Sequence, residues 1–351
     1  MVLPAPLGPI TATTSPAWTS KLTSESAIRE PNRLVRPSTL RGITPAPVAA
    51  VVNIGRGYLG AIRGAAGGTP GPAPDQMWPL AFGIAMPAGP VRILFIGDIV
   101  GGIGRRTVEA LLPALRERLQ PTFVIANGEN AAGGTGITPK VASRLLQSGI
   151  DVLTLGNHAY RHREVYPYLD QEPRIVRPAN YLRSQPGHGW CVVNQDDVRL
   201  GVVSISGNLF MNAGRPAFSE VDAALHALND RVDHIIVDMH AEATSEKVGM
   251  GWHLDGRVTA VLGTHTHVPT ADARVLPGGT AYITDVGMTG PRGGVIGVKR
   301  EQALESLVTR MPVRFETSSE DPWLNGVLIT ADGPLRASSI ELVLEPAAGL
   351  R

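Results

Sequence analysis

VRILFIGDIVGGIGRRTVEALLPALRERLQPTFVIANGENAAGGTGITPKVASRLLQSGIDVLTL, residues 91–155, decides the fold. It opens on VRILFI (residues 91–96), a short, mainly apolar run closed by Gly97-Asp98, the pattern of a buried strand. Val108, Leu111, Leu112, Leu115 and Leu119 then recur at helical spacing, which predicts a helix over residues 105–119. FVIA (123–126) reads as a second strand. Residues 139–147 read as a helix, with Thr138 as N-cap and Gly149 just past its end. Residues 152–155 form a third strand. This strand–helix alternation implies parallel strands with helices as crossovers.

Downstream, strands are expected at 198–204, 234–238, 259–262, 281–284, 326–330 and 337–343, and helices at 219–229 and 301–310. The second half has more strands per helix, so a layered α/β domain with two sheets fits better than one doubly wound sheet. Residues 91–345 read as that domain and 346–351 as a short tail. Upstream, the first 90 residues hold 14 of the 29 prolines and none of the nine histidines. Segments such as TPGPAP (69–74) sustain neither a helix nor a central strand. This Pro/Gly/Ser/Thr-rich extension reads as disordered, or as a gene start placed too early, with translation beginning at Met77 or Met86. A transit peptide and a partner-binding tail are the other readings, the first opposed by the prolines.

Composition narrows the function classes. The net charge is +1, which argues against stable nucleic-acid binding or a polybasic membrane patch. No run reaches the roughly 18 apolar residues of a membrane helix. Cys191 is the only cysteine, so an internal disulfide and a multi-thiolate metal site are both ruled out, and a reducing, cytoplasmic setting is expected.

In open α/β domains, ligands collect beyond the carboxyl ends of the strands. Asp98 follows the first strand, Glu129 and Asn130 the second, and Asn157 and His158 the third. His240 follows HIIVDM, and His265-Thr266-His267 follows VTAVLGT. Each alone has a bland explanation: a strand-end Asp caps a turn, Asn157 tolerates a left-handed bend, and His240 suits a hydrogen-bonded core position. In extended backbone the two rings of His265-x-His267 would share a face and converge on one point. Five such strand ends in one chain point to a site. Carboxylates, amides and imidazoles without thiolate favour Mn, Fe or Mg over structural zinc. Seven donors exceed what one ion open to substrate needs, whereas two ions sharing a carboxylate would use them all. A rival reading is a dinucleotide-binding loop at Gly102-Ile103-Gly104, but Thr107 stands where its third glycine belongs.

Six motifs in order, ILFIGDIVGGIGR, NGENAAGGTGIT, LGNHAY, MHAEATSEK, GTHTHVPTAD and TDVGMTGP, closely resemble the YmdB-like branch of the calcineurin-like metallophosphoesterases, over residues 91–343. The resemblance implies an α/β fold, a four-layer α-β-β-α sandwich of two mixed sheets. It implies that Glu129 bridges two divalent or mixed-valence metal ions, with Asp98, Asn130 and His267 on one and Asn157, His240 and His265 on the other. It makes His158 the proton donor in hydrolysis of 2′,3′-cyclic nucleotides to 3′-nucleotides by a hydroxide held between the metals. The chain shares the branch's departures from the wider superfamily: Asp98-Ile99-Val100 lacks the histidine of Asp-x-His, a vacancy Asn130 would fill, and Glu129 replaces the usual bridging Asp. The expected partner is a small nucleotide phosphoester, with a homo-oligomer compatible. The alternatives are a metal-dependent phosphomonoesterase and a non-catalytic metal- or nucleotide-sensing regulator. The Ala131–Gly136 and Glu242–Lys247 segments are candidate loops for the substrate wall, and His162 is a candidate pocket group or a helix-start residue.

Overall fold

The computed structural model describes residues 89–350, so the expectations for the N-terminal extension lie outside the described residues. In chain order the first elements are β1 (Val91–Ile96), β2 (Asp98–Ile99), α1 (Gly101–Leu119), β3 (Phe123–Asn127), α2 (Pro139–Gln147), β4 (Val152–Thr154), α3 (Tyr166–Gln171) and β5 (Ile175–Val176). Next come β6 (Trp190–Gln195), β7 (Val198–Ser206), α4 (Ala217–Leu228), β8 (His234–His240), α5 (Thr244–Leu254) and β9 (Ala260–Thr264). The chain closes with β10 (Arg274–Val275), β11 (Ala281–Ile283), β12 (Met288–Pro291), α6 (Arg300–Thr309), β13 (Pro322–Ala331) and β14 (Ala337–Pro346). The last strand passes the expected boundary at 345, and Ala347 beyond it is buried.

An eight-stranded sheet runs β2-β12-β13-β1-β3-β4-β5, with β14 also on β13, and a six-stranded sheet runs β10-β11-β9-β8-β7-β6. Both are mixed: β1, β3, β4 and β5 pair in parallel while β13 runs antiparallel to β1, and β7, β8, β9 and β11 pair in parallel between antiparallel β6 and β10. Successive residues of β1 face opposite ways, as pleating requires. Leu94 and Ile96 join Val108, Leu112 and Leu145 in a core between the first sheet and its helices. Ile93 and Phe95 meet Val202, Ile236 and Leu262 between the two sheets. A third core packs α4 and α5 on the outer face of the second sheet, through Val221, Leu225 and Met250 against Val203 and Val237. The architecture is therefore a four-layer α-β-β-α sandwich of two mixed sheets.

Local chemistry explains the element ends. Thr138 Oγ1 accepts from Val141 N at 3.3 Å, and Pro139 occupies the first turn of α2, where its missing N–H costs nothing. Helix α1 starts four residues before the expected position, at Gly101. A Cβ on Gly104 would lie 2.5 Å from Thr289 O, so this glycine serves the approach of α1 to β12. That packing demand accounts for Gly104 without a bound dinucleotide. Register aligns the carboxyl ends that matter: Ile96 pairs with Ala126, Asn127 with Thr154, and His240 with Thr264. No helix among the described residues is long and apolar enough to cross a membrane.

Candidate metal centre

The carboxyl ends of β1, β3 and β4 in one sheet and of β8 and β9 in the other open onto the same point. Asp98, Glu129 and His240 are fully buried. Glu129 sits centrally: its Oε1 lies 3.2 Å from His240 Nε2 and 3.3 Å from His158 Nδ1, and its Oε2 accepts from the His158 backbone N–H at 3.2 Å. Asn157 Oδ1 is 2.9 Å from His240 Nε2, and His265 Nδ1 is 3.1 Å from the same nitrogen. On the other side, His267 Nε2 is 3.1 Å from Asn130 Nδ2 and 3.8 Å from Asp98 Oδ1. Asp98 Oδ2 accepts from the His265 backbone N–H at 3.2 Å. His158 bridges the halves, its Nδ1 2.9 Å from Asn130 Oδ1 and its Nε2 3.3 Å from Asn157 Nδ2. All eight singled-out residues thus lie in one cluster. Gly156 makes the approach feasible, since a Cβ there would fall 2.2 Å from the His240 ring and 2.4 Å from Glu129 Oε2.

The two histidines of His265-x-His267 reach the cluster differently from the expectation. Strand β9 ends at Thr264, and both residues are left-handed, with φ of 96° and 67°. Their rings therefore diverge, His265 toward His240 and His267 toward Asp98 and Asn130. For non-glycine residues such backbone costs about 1–3 kcal/mol each and persists only where the surroundings hold it. The holder is a buried ion pair. Asp285 Oδ2 accepts from Thr266 N (3.1 Å), Thr266 Oγ1 (2.7 Å) and Lys247 Nζ (2.7 Å), while its Oδ1 accepts from Gly287 N (2.8 Å).

Donor chemistry tests whether a cation fits here. Thr264 Oγ1 donates to Asp238 Oδ1 at 2.6 Å, so at 2.9 Å it accepts the Nδ1–H of His240. A neutral His240 then directs its Nε2 lone pair at Glu129 Oε1, Asn157 Oδ1 and His265 Nδ1. His267 likewise donates Nδ1–H to Ile296 O at 2.9 Å, leaving its Nε2 lone pair facing inward. Asp98 Oδ1 and Glu129 Oε1 are buried without a hydrogen-bond donor among the described residues. Converging lone pairs and donorless buried carboxylate oxygens repel one another unless a cation or added protons lie between them. The residues fit the donor set of a hard or borderline cation.

Without a cation, protons take that part. Burial pushes the Asp98 carboxyl up to about 8. Burial lowers His240, but the Glu129 carboxylate more than offsets it and the imidazole reaches about 9. Burial opposes ionisation of Glu129, yet His240 and His158 hold it well below the usual carboxylate range. Burial, then the charge of His240, drives His265 down to about 2, and burial drives His267 to about 4.

Sequence reasoning missed the supporting residues. Asp238 is fully buried and accepts from Asn127 Nδ2 (2.9 Å), Thr154 Oγ1 (2.5 Å) and Thr264 Oγ1 (2.6 Å), which fixes the tautomer of His240 through Thr264. A lone carboxylate inside the apolar run HIIVDMH was the available signal. The segment expected as a Glu242–Lys247 loop is instead the start of α5, with Glu246 and Lys247 buried; only Glu242 reaches the site, its Oε2 3.2 Å from His265 Nε2. The Ala131–Gly136 segment does meet the cavity, through Gly133, Gly134 and Thr135. This cavity of about 350 Å³ is bounded by Glu129, His158 and His267 on one side and Val298, Leu307 and Phe315 on another. His162 is not on its wall; its Nε2 bonds Thr135 O at 3.0 Å and braces the glycine-rich loop.

Comparisons with known proteins place the chain among relatives of the same fold. The chain is 45% identical over 255 residues to a 2′,3′-cyclic-nucleotide 2′-phosphodiesterase of Bacillus subtilis (strain 168), covering 72% of this chain and 97% of the relative. A crystal structure of a hypothetical protein from Thermus thermophilus superposes with a TM-score of 0.69 at 40% identity, over 73% of this chain and 99% of that one. A crystal structure of a novel phosphatase from Mycoplasma pneumoniae gives 0.68 at 32% identity, over 73% and 94%. The family model described as YmdB-like protein matches residues 94–343. The chain belongs to the YmdB-like family.

Proposed function

We propose that this chain is a two-cation phosphodiesterase that opens 2′,3′-cyclic nucleotides to 3′-nucleotides. The observation that carries the reading is the ring of inward-facing lone pairs around Glu129, with donorless oxygens on both Asp98 and Glu129. The B. subtilis relative supports the substrate class. In this reading Glu129 is shared between the ions, Asp98, Asn130 and His267 hold one, and Asn157, His240 and His265 hold the other. Manganese or iron suits imidazole-rich donors best, and magnesium is admissible.

When bound, the cations offset charge on the phosphoryl oxygens and acidify a water to near-neutral pKa. The remaining work falls to the protein. Asn130 Oδ1 orients His158 through its Nδ1, leaving Nε2 as the atom that delivers a proton to the departing ribose O2′. The His158 side chain is 15% exposed, so it reaches the cavity while staying fixed. Val298, Leu307 and Phe315 form an apolar wall for the base, and about 350 Å³ falls within the range of small-ligand sites.

The test is a substrate panel for manganese- or iron-loaded protein: 2′,3′-cyclic AMP, 3′,5′-cyclic AMP and p-nitrophenyl phosphate. The expected result is preferential hydrolysis of the first, with 3′-AMP as product. A preference for the monoester would convert the assignment to phosphomonoesterase, and tight nucleotide binding without turnover would convert it to a sensor.

A further inference from the structure

Arginines gather at a second place in the fold. A cleft of about 660 Å³ opens between α4, the edge strand β6 and the segment that leads into it, and it shares no residue with the cavity at the metal centre. Arg177, Arg183, Arg215 and Arg231 all reach its wall, against a single carboxylate, Glu220. Residues 91–351 carry 25 basic against 28 acidic side chains, so the positive cleft is a local concentration rather than a general property of the domain.

The counter-charge within the cleft is incomplete. Glu220 pairs with Arg215. Arg231 lies over the Trp190 ring, 5.4 Å from its centroid. Arg177 is only 5% exposed. Its Nη1 donates to Pro178 O at 2.8 Å, and its Nη2 and Nε reach the carbonyls of Gln185 and Pro186 only at 3.4 Å. Carbonyl dipoles partner its protons but leave its full charge without an anion among the described residues, which is costly for a buried guanidinium. Arg215 Nε is buried with no partner among the described residues. Burial, then the charges of Arg183 and Arg177, hold the Arg215 guanidinium below the ordinary arginine range.

We propose that this cleft is a second ligand site, which takes the phosphate group of a mononucleotide. Planar guanidinium forks match phosphate oxygens two at a time, and several on one wall complete the charge that Glu220 leaves unbalanced. Trp190, half-buried on the same wall, holds the Arg231 guanidinium at the cleft through its ring. The site stands apart from the metal centre and does not depend on how that centre is read.

The experiment is isothermal titration of the full, manganese-loaded chain with AMP, inorganic phosphate and adenosine, in the wild type and in Arg183→Ala/Arg231→Ala. Both side chains are exposed, so the fold is expected to survive. If the double variant unfolds, Arg183→Glu carries the same test. The wild type is expected to bind AMP at the cleft as one class of site, whether or not the metal centre binds it as well. The variant should weaken that class by about tenfold or more per arginine removed and leave turnover at the metal centre unchanged. Adenosine should not bind that class. Binding of inorganic phosphate to it would identify the phosphate alone as sufficient; binding of AMP only would assign a share to the nucleoside. Identical stoichiometry and affinity in wild type and variant, or capture of a short RNA but of no monophosphate, would overturn the proposal.

Discussion

Asp98 and Asp285 are both fully buried carboxylates, yet the chain completes only one of them. Asp285 receives four hydrogen bonds, one from the ammonium of Lys247, itself fully buried. Asp98 receives one backbone N–H on Oδ2, and its Oδ1 has no donor among the described residues. Asp238 resembles Asp285, with three donors around it, and Glu129 resembles Asp98. Buried carboxylates therefore fall into two sets. One is saturated by the protein and braces the histidines of the site through Thr266 and Thr264; the other is left for something the protein does not supply. The buried pair is weak evidence for added stability, since desolvation of both ions offsets their attraction. Its position against Thr266, between the two left-handed histidines, argues that it shapes the site.

Breaking the unsaturated set should have the largest effect. Glu129→Ala is expected to lose bound metal and activity together, measured by elemental analysis and by 2′,3′-cyclic AMP hydrolysis. His158→Ala separates chemistry from metal holding: both metals stay, and turnover falls by roughly 10²–10⁴-fold, the range of a general acid. Loss of metal in the His158 variant with retention in the Glu129 variant would reverse those roles. In the saturated set, Lys247→Met strands Asp285 as an unpaired buried charge and should cost about 3–5 kcal/mol in urea unfolding, with most of it recovered by adding Asp285→Asn. A smaller effect is expected from Thr264→Val, which frees the tautomer of His240. Metal affinity should drop about 10–100-fold, and Thr264→Ser should restore it.

The unsaturated site also responds to pH. In the cation-free chain, Asp98 at about 8 and His240 at about 9 keep protons that the unfolded chain has released, so stability is lost as pH rises through those values. Below about pH 6.5 the depressed His265 and His267 act in the opposite sense, because the unfolded chain takes up protons that they refuse. The cation-free thermal midpoint should therefore fall between about pH 6.5 and about pH 9, while the manganese-loaded midpoint holds, because cations replace the protons. Parallel curves with and without manganese would argue against a shared site.

The unsaturated residues were legible in the sequence because each follows an apolar run, and strand ends are where α/β folds expose side chains. The parallel first third was legible for the same reason: VRILFI, FVIA and DVLTL bracket two helical periods. The geometry that delivers His265 and His267 was not. The expected extended pair became two left-handed residues, because β9 ends at Thr264 and Asp285, 19 positions beyond Thr266 in sequence, holds the turn. Helix α5 was hidden for a related reason. Its polar opening, Thr-Ser-Glu-Lys, reads as a surface loop, and only tertiary pairing with Asp285 and with the backbone of Asn208 and Leu209 buries Lys247 and Glu246. Strand β6 escaped because it is a half-exposed edge strand whose sequence, WCVVNQ, lacks a clean alternation.

Cation stoichiometry tests the central claim most directly. Purified protein, stripped and then titrated with manganese or iron, should bind two ions per chain and gain 2′,3′-cyclic AMP hydrolysis in step with loading. Protein that takes up no more than trace metal, and gains no activity when either ion is added, would contradict the account.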